Sequence, residues 1–255
     1  MVLGALLSFL VLSARAEEPL SRINTSASLG GLVLSGNLNQ IQLNFNGLMS
    51  YSEPRYGNDL IVSGYRIYMK VPELDQYVRI GDDLQINDLP NLYLNEKVYL
   101  IGLAHYDSSL LHQVDSRWLG GAGLGYAPVR SSQYLIRAAV GGFYEHTSYP
   151  SASFNLDVAH DGNVRTVPRV GILSNGWFNR PNRTMSYRYV AWYFLNPLDA
   201  QDRRTYFDGS TTIKIKKALG LRLGLSYAGS TVVVQGVQTS DLRLTAGINV
   251  SKKSK

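Results

Sequence analysis

Residues 115–146 read DSRWLGGAGLGYAPVRSSQYLIRAAVGGFYEH. Trp118, Leu124 and Tyr126 fall on even positions, with Gly121, Gly123 and Gly125 between them. Further on, Tyr134, Ile136, Ala138, Val140 and Tyr144 alternate with Gln133, Arg137, Gly141 and Glu145. A period of two marks pleated strands with one apolar and one mixed polar face. The connector Pro128-Val129-Arg130-Ser131-Ser132 has turn chemistry, because proline presets φ and serine bonds the local backbone. The stretch is therefore read as two strands and a tight turn. Glycine repeated inside strands weakens a flat sheet. It is expected where a barrel wall bends sharply or where large side chains cross a lumen.

The same alternation recurs on both sides of this hairpin. In 38–51, Ile41, Leu43, Phe45, Met49 and Tyr51 oppose Gln40, Gln42, Asn44, Asn46 and Ser50. Similar segments are read at 24–34, 59–71, 76–86, 92–106, 164–178, 184–195, 203–217, 221–227 and 241–250, with turns at Ser35-Gly36-Asn37 and Asp161-Gly162-Asn163. Segment 92–106 is apolar on both faces, Asp82-Asp83 marks a bulge or loop, Pro168 marks an edge or break, and 154–159 is only a doubtful strand. No segment combines helical period with caps. The expectation is an all-β, antiparallel up-and-down transmembrane β-barrel of about 12 strands, apolar outside and polar inside. A soluble barrel with an apolar interior shows the same alternation. Strand length and the Tyr and Trp near strand ends favour the membrane.

Composition narrows the classes. The chain has 255 residues, 24 Gly, 17 Tyr against 7 Phe, and no Cys, which excludes disulfides and thiolate metal sites. The net charge of +6 is spread through the strands rather than clustered, so no nucleic-acid partner is expected. Residues 1–16, MVLGALLSFLVLSARA, hold an apolar core and an Ala14-Arg15-Ala16 cleavage pattern, although no Lys or Arg precedes the core. They are read as a signal peptide, leaving 17–255 as one barrel domain exported to the outer membrane. The expected partners are outer-membrane lipids and the barrel-assembly machinery, with the chain a monomer.

Three stretches carry a family resemblance. They are Leu34-Ser35-Gly36-Asn37 leading into an alternating strand, Trp118 to Tyr126 after the pair Tyr106-Asp107, and the close from Thr211 through Leu221 to Val250 with Tyr227 and Asp241. In these the chain resembles the salt-induced outer-membrane proteins, the family called domain of unknown function 481. The resemblance covers most of the mature chain, on glycine and aromatic patterns rather than catalytic signatures. It implies a monomeric outer-membrane barrel of undefined biochemical role, sometimes linked to salt or acid stress. One departure is the end, Asn249-Val250-Ser251-Lys252-Lys253-Ser254-Lys255, which lacks the terminal aromatic residue of such barrels.

Catalytic chemistry finds little support. His146 and Ser148 have the spacing of an outer-membrane lipid hydrolase, but Glu145 in a strand points away from His146, and Tyr149 stands where that family has Asn. His105, His112 and His160 do not pair at ligand spacing, so neither metal nor cofactor is expected. Gly120-Gly121-Ala122-Gly123 lies within a strand and is no phosphate loop. The suggestive set is basic. Arg66, Arg137, Arg165, Arg169, Arg188, Arg222 and Arg243 fall on the less apolar faces and are the lumen-lining candidates, together with Lys70, Arg204, Lys214 and Lys216. They either pair with Asp and Glu into a rigid filling or line a pore that favours anions. The chain is thus read as non-enzymatic, structural or pore-forming. The alternatives are a lipid hydrolase and a soluble periplasmic ligand-binding barrel.

Overall fold

Alternating strands with unpaired edges must close on themselves or find partners, and here they close. The computed structural model describes residues 22–34, 39–71, 76–131, 133–179, 184–216 and 218–254. The expected signal peptide at 1–16, the start of the domain at 17–21 and the turn Ser35-Gly36-Asn37 lie outside these residues. Twelve strands form one closed barrel, each hydrogen-bonded to its sequence neighbours, with the last joined to the first. They are β1 (Arg22–Leu34), β2 (Gln40–Ser52), β3 (Tyr56–Val71), β4 (Gln76–Tyr93), β5 (Val98–Ser109) and β6 (Val114–Arg130). The other half is β7 (Tyr134–Ser148), β8 (Val164–Asn179), β9 (Met185–Asn196), β10 (Asp199–Lys214), β11 (Leu219–Ser230) and β12 (Ser240–Ser254). Closure is antiparallel, Ala27 of β1 opposing Val250 of β12.

Several sequence expectations shift. The apolar run at 92–106 is not one strand. It is broken by a turn in which the Asn95 side chain accepts from the backbone N–H groups of Lys97 and Val98. A bulge at Ile80, between the pairs Ile67–Gly81 and Tyr68–Arg79, stands just before Asp82. Segment 154–159 contributes only a single bridge, Phe154 to Val234. Pro168 pairs with Tyr144 of β7, whereas the β8–β9 ladder starts only at Val170, so proline sits where one side of β8 is free of a partner strand.

The outer face carries a belt of exposed apolar side chains. Leu244 is 79% exposed, Leu29 68% and Val140 60%, with Leu43, Leu100, Leu124, Ile172, Leu223 and Ile248 continuing the belt. Aromatic residues flank it. Phe178 packs its ring at a tilt against Tyr134 and Tyr187 near the end that holds the chain termini, and Tyr106 meets Trp118 toward the other end at 4.5 Å.

The inner face differs from the expected polar lining. Across β4 to β10 it buries Leu89, Tyr93, Tyr99, Ile101, Leu103, Phe143, Trp192, Phe194 and Tyr206 as one cluster. Glycines of β6 and β8 make room for it. A Cβ on Gly125 would overlap the Tyr99 ring, and one on Gly171 would overlap Phe194. The wall is thin there so that rings can lie across it.

Candidate functional site in the lumen

Strand parity decides which charges meet. In β7, β8 and β10 the inward positions bring together Glu145, Arg165, Arg169, Asp202 and Arg204, all buried. Arg169 donates to Glu145 at 3.0 Å and Arg204 to the other carboxylate oxygen at 2.7 Å. Arg165 donates to Asp202 at 3.0 Å, and Arg169 reaches the same carboxylate at 2.8 Å. From β5 and β6, Arg117 donates to Asp107 at 3.1 Å, and the two His105 ring nitrogens face Asp107 and Asn87 at 2.7 and 2.8 Å. Four arginines and three carboxylates thus share one dry network, in which each ion is compensated by its neighbours.

A second group lies toward the termini. Asp59 of β3 accepts from Arg137 of β7 at 2.9 Å and from Arg188 of β9 at 3.1 Å, and Ser50 donates to it at 2.5 Å. β3 and β9 are diametrically opposed in the ring of strands, so Arg188 spans the lumen. Tyr206 of β10 does the same, donating to Gln85 of β4 at 2.8 Å. On the remaining wall Arg243 pairs with Asp83 and Asp241 and lies 4.6 Å from the Tyr65 ring centre. Arg222 stands 3.9 Å from Asp208 and donates to Ser28 at 3.3 Å.

The end away from the termini is covered. Val234, in the loop joining β11 to β12, packs with Val114 at the start of β6 and with Tyr149. β6 is on the opposite side of the barrel from β11 and β12, so the loop crosses the mouth. Backbone bonds from Asn155 to Val233 and from Gln235 to Ser153 tie it to the β7–β8 loop. Within the lumen, a cavity of about 130 Å³ lies between Tyr65, Asp83, His112, Tyr206 and Arg243. A larger one, about 230 Å³, is lined by Ser26, Ser50, Ser186, Arg188, Ser210, Thr212 and Asn249. Asn46, Asp208 and Arg222 border both.

Of the seven arginines expected in the lumen, Arg137, Arg165, Arg169, Arg188, Arg222 and Arg243 point inward. Arg66 does not. Asp59, Ile61 and Ile67 of β3 are buried inside, so the even position 66 faces out, where Arg66 and Arg79 both donate to Asp82 at 3.1 and 2.8 Å. The sequence reading put Arg66 with the less apolar face of β3. That face is the outer one, because Ile61 and Ile67 are buried inside and Tyr65 borders the lumenal cavity. Arg117 and the carboxylates Asp59, Asp107, Glu145 and Asp202 were missed as site residues. Their signal was parity alone, since each shares the inward face of its strand. His146 is on the outer face, 3.0 Å from Thr166 Oγ1, while Glu145 is held by arginines inside. The two cannot form an acid–histidine pair. Among the described residues no group of His, Asp and Glu is arranged to hold a metal ion.

Comparison with solved structures returns membrane barrels. The NanC porin superposes with a TM-score of 0.44 at 8% identity, covering 91% of this chain and 98% of its own. An outer-membrane channel from Pseudomonas putida gives 0.45 at 11%, covering 96% and 100%. The translocator domain of the autotransporter NalP from Neisseria meningitidis gives 0.41 at 12%, covering 97% and 92%. These superpositions are too loose to carry a role over to this barrel. No curated protein matches the sequence. The profile of the family described as protein of unknown function, DUF481, matches residues 27–251, and the chain belongs to that family.

Proposed function

We propose that this protein is an integral barrel of the outer membrane of a diderm bacterium, non-enzymatic, and built as a rigid, guarded barrel that admits at most small solutes. The observation that carries the reading is the contrast between its faces. A belt of exposed Leu, Val and Ile flanked by aromatic rings is costly in water and suits a bilayer. Every inward arginine named above has a carboxylate within 4.0 Å. Such pairing leaves little free positive charge for a broad anion-selective pore. A link to salt or envelope stress rests on the family resemblance.

Cell fractionation with a heat-modifiability gel tests the placement. Outer-membrane recovery and a faster-migrating unheated band are expected, and recovery in the soluble periplasm would overturn it. In planar bilayers, single channels should be small and rise when the covering loop at 231–239 is shortened. Purified protein incubated with phospholipid should release no fatty acid. Release that depends on His146 would establish the hydrolase reading instead.

A further inference from the structure

The two ends of the lumen differ in how much open space borders their charges. Around Glu145 the groups are close-packed, each arginine with a carboxylate at 3.1 Å or less. Toward the termini the charged groups border the 230 Å³ cavity. Asp59 serves two arginines at once, and Arg222 has its carboxylate partner, Asp208, only at 3.9 Å. The charged groups that line the cavity are Arg188, Arg222 and Lys252 against the one carboxylate of Asp208. The Nη1 atom of Arg188 is buried without a hydrogen-bond partner, although guanidinium donors so placed normally find acceptors.

Beside the apolar Leu48, Ile61, Trp177 and Val190, the side chains of Ser26, Ser50, Ser186, Ser210, Thr212 and Asn249 also face the space. These groups both donate and accept, which suits a ligand rich in hydroxyls. The excess of positive charge suits an anion, and a planar guanidinium grips a carboxylate through paired bonds. The volume fits as well, since a cavity of ~150 Å³ holds one six-membered ring, and this one is about 230 Å³. A bare inorganic anion would leave the hydroxyl lining to water, and a neutral polyol would leave the arginines unanswered.

We infer that the cavity on the termini side is a binding site for a small polyhydroxylated monocarboxylate of about six carbons, held by Arg188 and Arg222 at its carboxylate and by the serine–threonine wall at its hydroxyls. The inference builds on the reading of the chain as a membrane barrel that admits small solutes.

The test is calorimetric or NMR titration of the full barrel in detergent micelles at low salt, with gluconate, sorbitol, hexanoate and sulfate as probes. Gluconate should bind tightest. Arg188→Gln or Arg222→Gln should weaken it by about 10- to 100-fold, the range for losing a charged hydrogen bond. Arg79→Gln, on the outer face, should leave it as it is. Sorbitol or sulfate binding as well as gluconate would overturn the inference, as would full binding in the Arg188→Gln/Arg222→Gln double variant. The unheated gel band reports whether each variant has closed its barrel. If the arginine variants fail to close, Ser210→Leu, which fills the space without touching a charge, should abolish binding, and gluconate binding that survives it would count against the site. Bilayer recordings separate the two readings. Gluconate binding without conductance leaves the site standing and removes the solute path, whereas conductance with no gluconate preference does the reverse.

Discussion

Glu145→Gln is the sharpest perturbation of this lumen, since it keeps shape and removes one charge. The side chain is 2% exposed and accepts from Arg169 at 3.0 Å and Arg204 at 2.7 Å, with Arg117 Nε at 3.9 Å. Two contact ion pairs at an effective dielectric near 20 are worth ~4 kcal/mol each. Desolvating one carboxylate takes back several kcal/mol, which leaves a net loss of about 3–5 kcal/mol, the range measured when one partner of a buried pair is removed. The neutral amide also leaves four arginines facing only Asp107 and Asp202. The assay is urea unfolding of the barrel in lipid vesicles, followed by tryptophan fluorescence and by loss of the fast-migrating gel band. The double variant Glu145→Gln/Arg204→Gln should recover part of the loss, because the arginine left uncompensated has been removed with its partner. A loss below about 1 kcal/mol, the scale of an exposed pair, would refute the view that this network holds the barrel together. So would a double variant in which the two losses simply add.

Other expectations follow from the same geometry. Gly125→Val, whose Cβ would overlap the Tyr99 ring, should sharply lower the yield of heat-modifiable barrel, whereas Gly142→Ala, with open space at its Cβ, should assemble normally. Arg66→Ala removes only an outer, half-exposed pair with Asp82 and should cost under about 1 kcal/mol in the unfolding assay, well below Arg169→Ala. Val234→Asp should loosen the loop that crosses the mouth, seen as faster proteolysis of 149–163 with the barrel band intact. In the β5–β6 turn, burial holds His112 below its ordinary value of 6.5, as do Arg243 and Arg117, while Asp83 and Asp241 act the other way. The unfolded chain therefore binds a proton there that the folded chain refuses, so stability falls as pH drops below about 6.5. His112→Gln should flatten that part of the pH–stability curve.

Much of this architecture is local and was legible in the residues. Alternation in 115–146 and its repeats sets strand, turn and face, because the pleat assigns each side chain by parity. That is why Arg137, Arg165, Arg169, Arg188, Arg222 and Arg243 could be placed on one surface of the sheet. Parity does not say which surface is inside. Arg66 was misplaced because its strand carries apolar side chains on both faces, and only closure shows that Ile61 and Ile67 fill the lumen. Nor could spacing reveal that Arg188 meets Asp59, 129 residues away, or that a loop after β11 would lie on Val114. Such meetings depend on the number of strands and the register at which β1 joins β12. The sequence by itself determined a two-faced, antiparallel sheet. The tertiary structure alone decided that the sheet's inner face is a packed and charge-paired interior, since closing twelve strands forces opposite walls within side-chain reach.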